Sequence, residues 1–329
     1  MTSAIAVAGT NIALVKYWGK RDEALNLPAT GSLSLTLDRL GTRTRVAFDG
    51  GAAGADRVTL DGAPASPKFA ARASAFLDRV RIRAGIDAPA TVETVNSVPT
   101  AAGLASSASG FAALAVAAAH AAGLELSPAE LSELSRQGSG SAARSIFGGF
   151  VEMARGTRPD GRDAVARALE AGAGWDVRLV VAITAAGEKT IGSTAAMART
   201  ASTSPYYEAW VRGVDGDLEA ARAAIAVRNL NALGAVAERS ALRMHASAMA
   251  ADPAILYWNA ATVAAIGAVK ALRERGTAAF FTIDAGPHVK VLCAAADAEA
   301  VAAALAETPG VLRTLVAAPG PGARVVEVA

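Results

Sequence analysis

A single cysteine, Cys293, in 329 residues excludes an intrachain disulfide, and three histidines without metal-ligand spacing argue against a dedicated zinc site. Charge of one sign is scarce too. The 32 basic and 30 acidic side chains leave a formal +2, scattered along the chain with no block that would track nucleic acid or an acidic membrane. Long apolar runs are also missing. The opening "MTSAIAVAGTNIALVKYWGK" has no basic residues ahead of its apolar stretch and meets Lys16 and Lys20 too early for a span. The alanine-rich run 111–123 is short, weakly apolar and interrupted by His120, which suits a tightly packed buried helix better. These absences predict a cytoplasmic protein of a reducing compartment, without targeting segment, membrane or nucleic acid, whose partner is a small molecule.

What is present is apolar and small: 52% hydrophobic residues and 31 glycines, enough to build one large core or two modest ones. Alternation in "SLSLTL" (32–37), "RVAFD" (45–49) and "RVTLDG" (57–62) predicts strands. Helical spacing covers 69–84, and 90–99 reads as a strand entering a loop and helix. Ser127, Pro128 and Glu130 form a capping box with proline at the first helical position, opening a helix that ends near Gly138. Strands at 150–154 and 177–184 then complete a first α/β layer structure. Helices near 205–227, 229–250 and 253–275 follow, then paired strands "AAFFTID" and "VKVLCAA", a helix at 295–307 and short terminal strands. A boundary near residue 185 gives an N-terminal nucleotide-binding domain, 1–185, and a C-terminal domain, 186–329.

The densest cluster of small residues is "VPTAAGLASSASG", 98–110, between a strand and a helix. Such a loop aims backbone N–H groups and a helix dipole at one point, which suits phosphate, or it simply allows close helix packing. It lacks the lysine of G-x-x-x-x-G-K-[ST] and is not G-x-G-x-x-G. Other residues carry two readings as well. Lys16 lies in an apolar run, where a buried cation needs a partner. Asp284, before Ala-Gly-Pro, is either an aspartate placed for chemistry or one that starts a turn. Arg144 suits bidentate capture of a carboxylate or a surface ion pair. Ser139 and Ser141, with Gly138 and Gly140 permitting close approach, line a site or end the helix capped at Ser127. Tyr17 and Trp18 also read as core packing. Cys293 reads as a buried strand residue, His245 as a helix-surface residue and His120 as satisfied on its helix; these and His288 receive no chemistry.

Pro99, Gly103, Leu104, Ser106, Ser107 and Ala108 match the P-x-x-x-G-L-x-S-S-A loop of the GHMP kinase superfamily. "NIALVKYWGKRDEALNLPATGSLSLTLD" (11–38), "RQGSGSAARSIFGGFVEM" (136–153) and "FFTIDAGPHVKV" (280–291) resemble the conserved blocks of mevalonate diphosphate decarboxylases. "GSTAAMARTASTSPYY" (192–207) and "PAILYWNAATVAAI" (253–266) follow the same family. The resemblance spans about residues 11 to 293. It implies an α/β GHMP kinase fold, with a ribosomal-protein-S5-like N-terminal half, a ferredoxin-like C-terminal half and a cleft between them.

The implied reaction phosphorylates the tertiary 3-hydroxyl of mevalonate 5-diphosphate with ATP and Mg2+, then eliminates that phosphate with the carboxylate, giving isopentenyl diphosphate, ADP, phosphate and CO2. By resemblance Gly103, Leu104, Ala105, Ser106, Ser107, Ala108 and Ser109 cradle ATP, with Ser107 near Mg2+. Asp284 orients or deprotonates the 3-hydroxyl, Arg144 holds the substrate carboxylate, and Lys16 faces the carboxylate and hydroxyl end. Tyr17 and Lys20 reach the 5-diphosphate, and Ser139, Gly140 and Ser141 contact substrate. Family members are commonly homodimers, so the resemblance implies a homodimer.

Two positions depart from the family pattern. Thr30, Gly31 and Ser32 stand where the family usually has Asn-Ser-Ser, and Thr194 stands where some members carry a phosphate-binding arginine. A missing pocket hydroxyl would shift the substrate toward mevalonate 5-phosphate, an alternative decarboxylase reaction. A small-molecule kinase of the same superfamily has no need of Asp284, Arg144 and Lys16 together, and a catalytically silent relative is expected to lose one of them.

Overall fold

A computed structural model describes residues 3–49, 54–97, 106–187 and 189–328. The chain opens with β1 (Ser3–Val15), a small hairpin of β2 (Lys20–Asp22) and β3 (Leu27–Pro28), and β4 (Ser32–Ala47). Next come β5 (Arg57–Leu60), β6 (Ala63–Pro64), α1 (Pro67–Ala84), β7 (Thr91–Asn96), α2 (Ser106–Ala121), α3 (Pro128–Gly138), α4 (Ala142–Ser145), β8 (Phe150–Met153) and β9 (Ala166–Ala168). The remainder is β10 (Val177–Ile183), α5 (Ser193–Thr203), α6 (Tyr207–Ala226), α7 (Leu230–Met249), α8 (Ala260–Glu274), β11 (Ala279–Ile283), β12 (Val289–Ala294), α9 (Ala298–Ala306), β13 (Arg313–Ala317) and β14 (Arg324–Val328).

The frame is the antiparallel pair β1–β4, joined in the order β14-β1-β4-β7-β5-β6, with β8 added along β4 and β9 along β8. The segments 32–37 and 45–49, expected as separate strands, form the two ends of one strand, β4, because the chain between them keeps its ladder to β1 through Gly9 and Gly41. A side chain at Gly41 would collide with the Ala8 carbonyl, so the pair approaches more closely there than a Cβ allows. On one face Ala4, Ala6, Ala8, Val46 and Phe48 pack against Phe76, Leu77 and Val80 of α1 and the alanines of α2. Small side chains let α2 lie directly on the sheet, and full burial of each large apolar partner contributes about 1.5–3 kcal/mol. His120 is exposed on α2, beyond the buried alanines. The expected capping box opens α3: Ser127 Oγ accepts from Glu130 N–H, and Glu130 Oε2 accepts from Ser127 N–H at 2.8 Å. Such a cap is worth about 1 kcal/mol.

A second sheet has the order β11-β12-β10-β13, with α8 and α9 packed on one face. The expectation that 177–184 completes the first layer is thereby corrected, since β10 pairs with β12 and β13. Its run of β-branched and apolar residues is buried on both faces and carries no periodicity that would tell one sheet from the other. The last strand, β14, returns to the first sheet beside β1. A helix expected from 253 begins only at Ala260, because Asn259 caps it by accepting from Thr262 N–H at 2.8 Å. One core unites the halves: Ile12, Leu14, Leu33 and Leu35 of the first sheet meet Leu179, Val181 and Leu292 of the second, with α6 and α7 filling in.

Candidate active site

Where β1 ends, Lys16 turns inward and is 1% exposed. Its Nζ donates to Asp284 Oδ1 at 2.6 Å and to the Ala13 carbonyl at 2.8 Å. Asp284 follows β11, held by a tight turn in which Gly286 N–H donates to the Asp284 carbonyl at 2.7 Å. Asp284 thus begins a turn, as one of its readings has it, and its carboxylate enters a charged cluster. Lys290 of β12, buried like Lys16, approaches Asp284 Oδ2 at 3.3 Å. Burial pulls the Lys16 ammonium down to about 8 against the opposing pull of Asp284. Burial pushes the Asp284 carboxyl up, but Lys16 and Lys290 outweigh it and hold the group below the usual carboxylate range.

Arg144 enters from α4, 2% exposed, and is held by side chains of the first sheet. Nε and Nη2 donate to Asn11 Oδ1 at 3.2 and 3.1 Å, Nε also to Ser34 Oγ at 3.0 Å, and Nη1 to Ser32 Oγ at 2.7 Å. Asn11 is itself fixed, its Nδ2 donating to Ser141 O at 2.9 Å and Ser145 Oγ at 2.8 Å. A guanidinium has five N–H donors, so the second N–H on each terminal nitrogen has no hydrogen-bond partner among the described residues. Burial lowers Arg144 to about 10, with Tyr17 and Asp284 acting in the opposite direction. Alternation in β4 puts Ser32 and Ser34 on the Arg144 side and Leu33 and Leu35 in the core. Gly31 faces elsewhere: a side chain there would press on Leu218 of α6. The hydroxyl missing at Gly31 is thus absent from a helix contact, while Arg144 keeps its serines.

The ring of Tyr17 lies under Arg144, with the guanidinium carbon 5.9 Å from its centroid. A Cβ at Gly140 would strike the Tyr17 hydroxyl, and one at Gly138 would strike the Phe111 ring, so the two glycines make room for Tyr17 and for a core ring respectively. Ser139 and Ser141 flank Gly140 with their hydroxyls 3.5 Å apart, one buried and one half-buried. Lys20 lines a cavity of about 290 Å³ against α5, with Glu23, Thr194, Met197 and Ser202. Burial lowers its pKa, with Glu23 opposing. Trp18 is core, as one of its readings had it.

Of the phosphate-loop residues, Gly103, Leu104 and Ala105 lie outside the described residues, and Ser106 is described only as the first residue of α2. Ser107 is exposed at that helix start. Ala108 and Ser109 turn their side chains inward: Ala108 is fully buried, and Ser109 Oγ lies 2.8 Å from Thr42 Oγ1 and 3.4 Å from that of Thr10. What Ala108 can offer a phosphate is its N–H group, which lies in the first turn of α2, where N–H groups have no intrahelical acceptor.

Lys290, Asn11, Ser32 and Ser34 were not singled out from the sequence as site residues. The argument applied to Lys16, a cation in an apolar strand, finds Lys290 in "VKVLC", and an amide amid "AGTNIALV" carries the same signal. Lys189, donating to Ser193 Oγ and the Ala285 carbonyl, is a further cation acting on Asp284. His245 is corrected: it is 1% exposed, with Nε2 3.3 Å from the Ile283 carbonyl, and burial lowers its pKa to about 3. His288 is buried and accepts from Thr184 N–H through Nδ1 at 3.1 Å. Cys293 is buried in its strand, as expected, with its thiol pushed up to about 12.

A family model of the diphosphomevalonate decarboxylase-like N-terminal domain matches residues 8–166, and one of the mevalonate 5-diphosphate decarboxylase C-terminal domain matches 179–314. The diphosphomevalonate decarboxylase of Gibberella zeae is 36% identical over 318 residues, covering 92% of this chain and 83% of that one. That of Homo sapiens is 36% identical over 310 residues, covering 88% and 76%. Mevalonate diphosphate decarboxylase from Staphylococcus aureus superposes with a TM-score of 0.94 at 38% identity over 99% of each chain. The structure of MDDEF in complex with MVAPP, AMPPCP and magnesium gives 0.92 at 40% identity, over 99% of this chain and 100% of that one.

Proposed function

The chain belongs to the diphosphomevalonate decarboxylase family, and on that premise we propose that it decarboxylates mevalonate 5-diphosphate with ATP, yielding isopentenyl diphosphate, ADP, phosphate and CO2. Its fold is the α/β GHMP kinase fold of the solved decarboxylases. The observation that carries the reading is the Lys16–Asp284 pair facing Arg144, three groups that a kinase stopping at phosphorylation has no need to assemble. The alternative substrate, mevalonate 5-phosphate, rested on the missing hydroxyl at Gly31, which faces Leu218 and not Arg144.

The roles follow from what each group can do. The Asp284 carboxylate accepts a hydrogen bond from the substrate 3-hydroxyl and sets its direction, while Lys16 keeps that carboxylate charged. The two open N–H groups of Arg144 hold the substrate carboxylate in a fork until it leaves as CO2. Tyr17, Lys20, Ser139, Gly140 and Ser141 bind the rest of the substrate, with Lys20 toward the diphosphate. The loop Gly103–Ser109 and the N-terminus of α2 receive the ATP phosphates.

ATP supplies the phosphoryl group that makes the 3-oxygen a leaving group, and Mg2+ neutralises phosphate charge. Among the described residues no group of three or more His, Cys, Asp or Glu side chains is placed to hold a metal. The donor set therefore fits a Mg2+ that arrives on the nucleotide and keeps several waters, with the exposed Ser107 hydroxyl the ligand to offer it. No helix among the described residues is long and apolar enough to cross a membrane. We place the protein in the cytoplasm as a homodimer, with its domain division near residue 185 and β14 returning to the first half.

The test is ADP formation and CO2 release from Mg-ATP with mevalonate, its 5-phosphate and its 5-diphosphate offered separately. Equal ADP and CO2 from the diphosphate alone is expected, and ADP without CO2 would make the protein a kinase. Asp284→Asn is expected to abolish turnover while ATP binding persists.

A further inference from the structure

Asp284 meets an excess of cations. Lys16 approaches one oxygen at 2.6 Å and Lys290 the other at 3.3 Å, and both ammonium groups are buried. Arg144 on α4, Lys189 beyond β10 and the neutral His245 on α7 also act on the carboxylate. The charged groups acting on Lys16 are Asp284, Lys290 and Arg144, so a single carboxylate faces three buried cations. Stability alone does not account for this arrangement. One ammonium suffices to pair a carboxylate, and a second must shed its water without gaining a second anion.

The backbone around Lys290 is rigid. β12 lies between β11 and β10, so Lys290 is laddered on both sides, opposite Thr282 and Val181. Thr282 Oγ1 donates to the Ala13 carbonyl at 3.2 Å, the same carbonyl that accepts from Lys16 Nζ. Lys290 Nζ is anchored by donating to its neighbour's carbonyl, His288 O, at 3.2 Å. Two lysines from different sheets thus converge on opposite oxygens of one carboxylate, each tied at its other side to a main-chain carbonyl.

We propose that Lys290 is a positioning residue for Asp284, gripping the oxygen that Lys16 does not reach so that the two lysines together fix the direction of the carboxylate. The role rests on the reading that Asp284 meets the substrate hydroxyl. A carboxylate held from both sides is a poor proton acceptor, so Asp284 orients the hydroxyl more than it deprotonates it.

The experiment follows the Asp284 side-chain carbon by NMR in protein labelled with 13C-aspartate, the signal assigned by its loss in Asp284→Asn. In the wild type its titration lies well below the usual carboxylate range, and in Lys290→Gln it moves up toward that range by about one to two pH units, as expected when one of two close cations is removed. Lys290→Arg restores the wild-type curve. In the same variants kcat falls by roughly tenfold or more in Lys290→Gln and recovers in Lys290→Arg, while KM for ATP holds and the melting temperature does not fall. Lys290→Met provides the same titration should the glutamine variant not fold. An Asp284 titration identical in wild type and Lys290→Gln, or a kcat loss that Lys290→Arg fails to recover, overturns the proposal. Wild-type protein that releases no CO2 overturns the proposed reaction instead, and the carboxyl titration then decides the role of Lys290 by itself.

Discussion

Arg136 and Arg144 lie on consecutive helices within one sequence block, and both are buried, yet the two regions use the same side chain for opposite ends. Arg136 donates to main-chain carbonyls, those of Leu25 at 3.2 Å, Gly161 at 2.6 Å and Ala164, so it staples the β2–β3 hairpin to the loop before β9. Its remaining nitrogen is walled in by Gly161, where a side chain would collide with it. Arg144 donates to side chains, Asn11, Ser32 and Ser34, that project from two strands, and among the described residues each terminal nitrogen keeps one N–H without a partner. Burial lowers the pKa of both. A buried arginine enclosed by carbonyls serves the fold; one aimed by side chains is, in the function proposed above, a tool. Burial by itself does not tell them apart, whereas the acceptors do.

Substituting each arginine is the strongest way to break the comparison. Arg144→Gln is expected to lower kcat/KM for mevalonate 5-diphosphate by about 10²–10³-fold, the scale of losing a preorganised donor, with little change in melting temperature because the cluster around it is over-supplied with positive charge. Arg136→Leu is expected to cost about 2–4 kcal/mol of stability through buried carbonyls that lose donors, with near-normal turnover in the protein that remains folded. Activity assays and thermal melts on the two variants check both. A normal kcat/KM in Arg144→Gln, or a large loss of turnover at unchanged stability in Arg136→Leu, would dissolve the distinction.

The glycines between the two arginines sharpen it on a smaller scale. Gly138→Ala drives a methyl into the Phe111 ring and is expected to cost about 1–3 kcal/mol of stability as overpacking does. Gly140→Ala drives one into the Tyr17 hydroxyl, in front of Arg144, and is expected to raise KM for the substrate several-fold with stability nearly intact. Should Gly140→Ala melt early and bind substrate normally, Tyr17 belongs to the core.

This contrast also marks what the sequence could reveal. Local chemistry was legible: the capping box at Ser127 and the strands flanking Asp284 follow from spacing alone, and the motif blocks brought Lys16, Arg144 and Asp284 forward together. Whatever depended on partners far along the chain was not. Nothing local says that Lys290 and Lys16 reach the same carboxylate, since they come from different sheets. His245 is misread as a helix-surface residue: α7 is rich in alanine, which gives little contrast between its faces, and Ala241 and Ala248 are on the buried side with it. β10 was assigned to the wrong layer for a related reason: a strand buried on both faces has no alternation from which to read its neighbours.

Lys16 adds a third cation to the comparison, and unlike either arginine it can lose its charge within reach of an ordinary assay. Burial lowers its pKa from 10.5 to about 8. Below that value the ammonium pairs with Asp284; as pH rises through about 8 it becomes neutral, and Asp284 loses its nearer counter-ion. The kcat/KM profile is therefore expected to fall on its basic side with a midpoint near 8, an effect of about twofold at the midpoint itself. Stability must move the other way. Between about 8 and 10.5 the unfolded chain keeps a proton on Lys16 that the folded chain has released, so this group's contribution to stability rises with pH across the window in which activity falls. Lys16→Arg, which stays charged, is expected to keep whatever activity it has flat across that range and to remove the stability gain. A basic limb unmoved in Lys16→Arg would assign the titration to another group, and activity and stability declining together above pH 8 would point to unfolding in place of a lost ion pair.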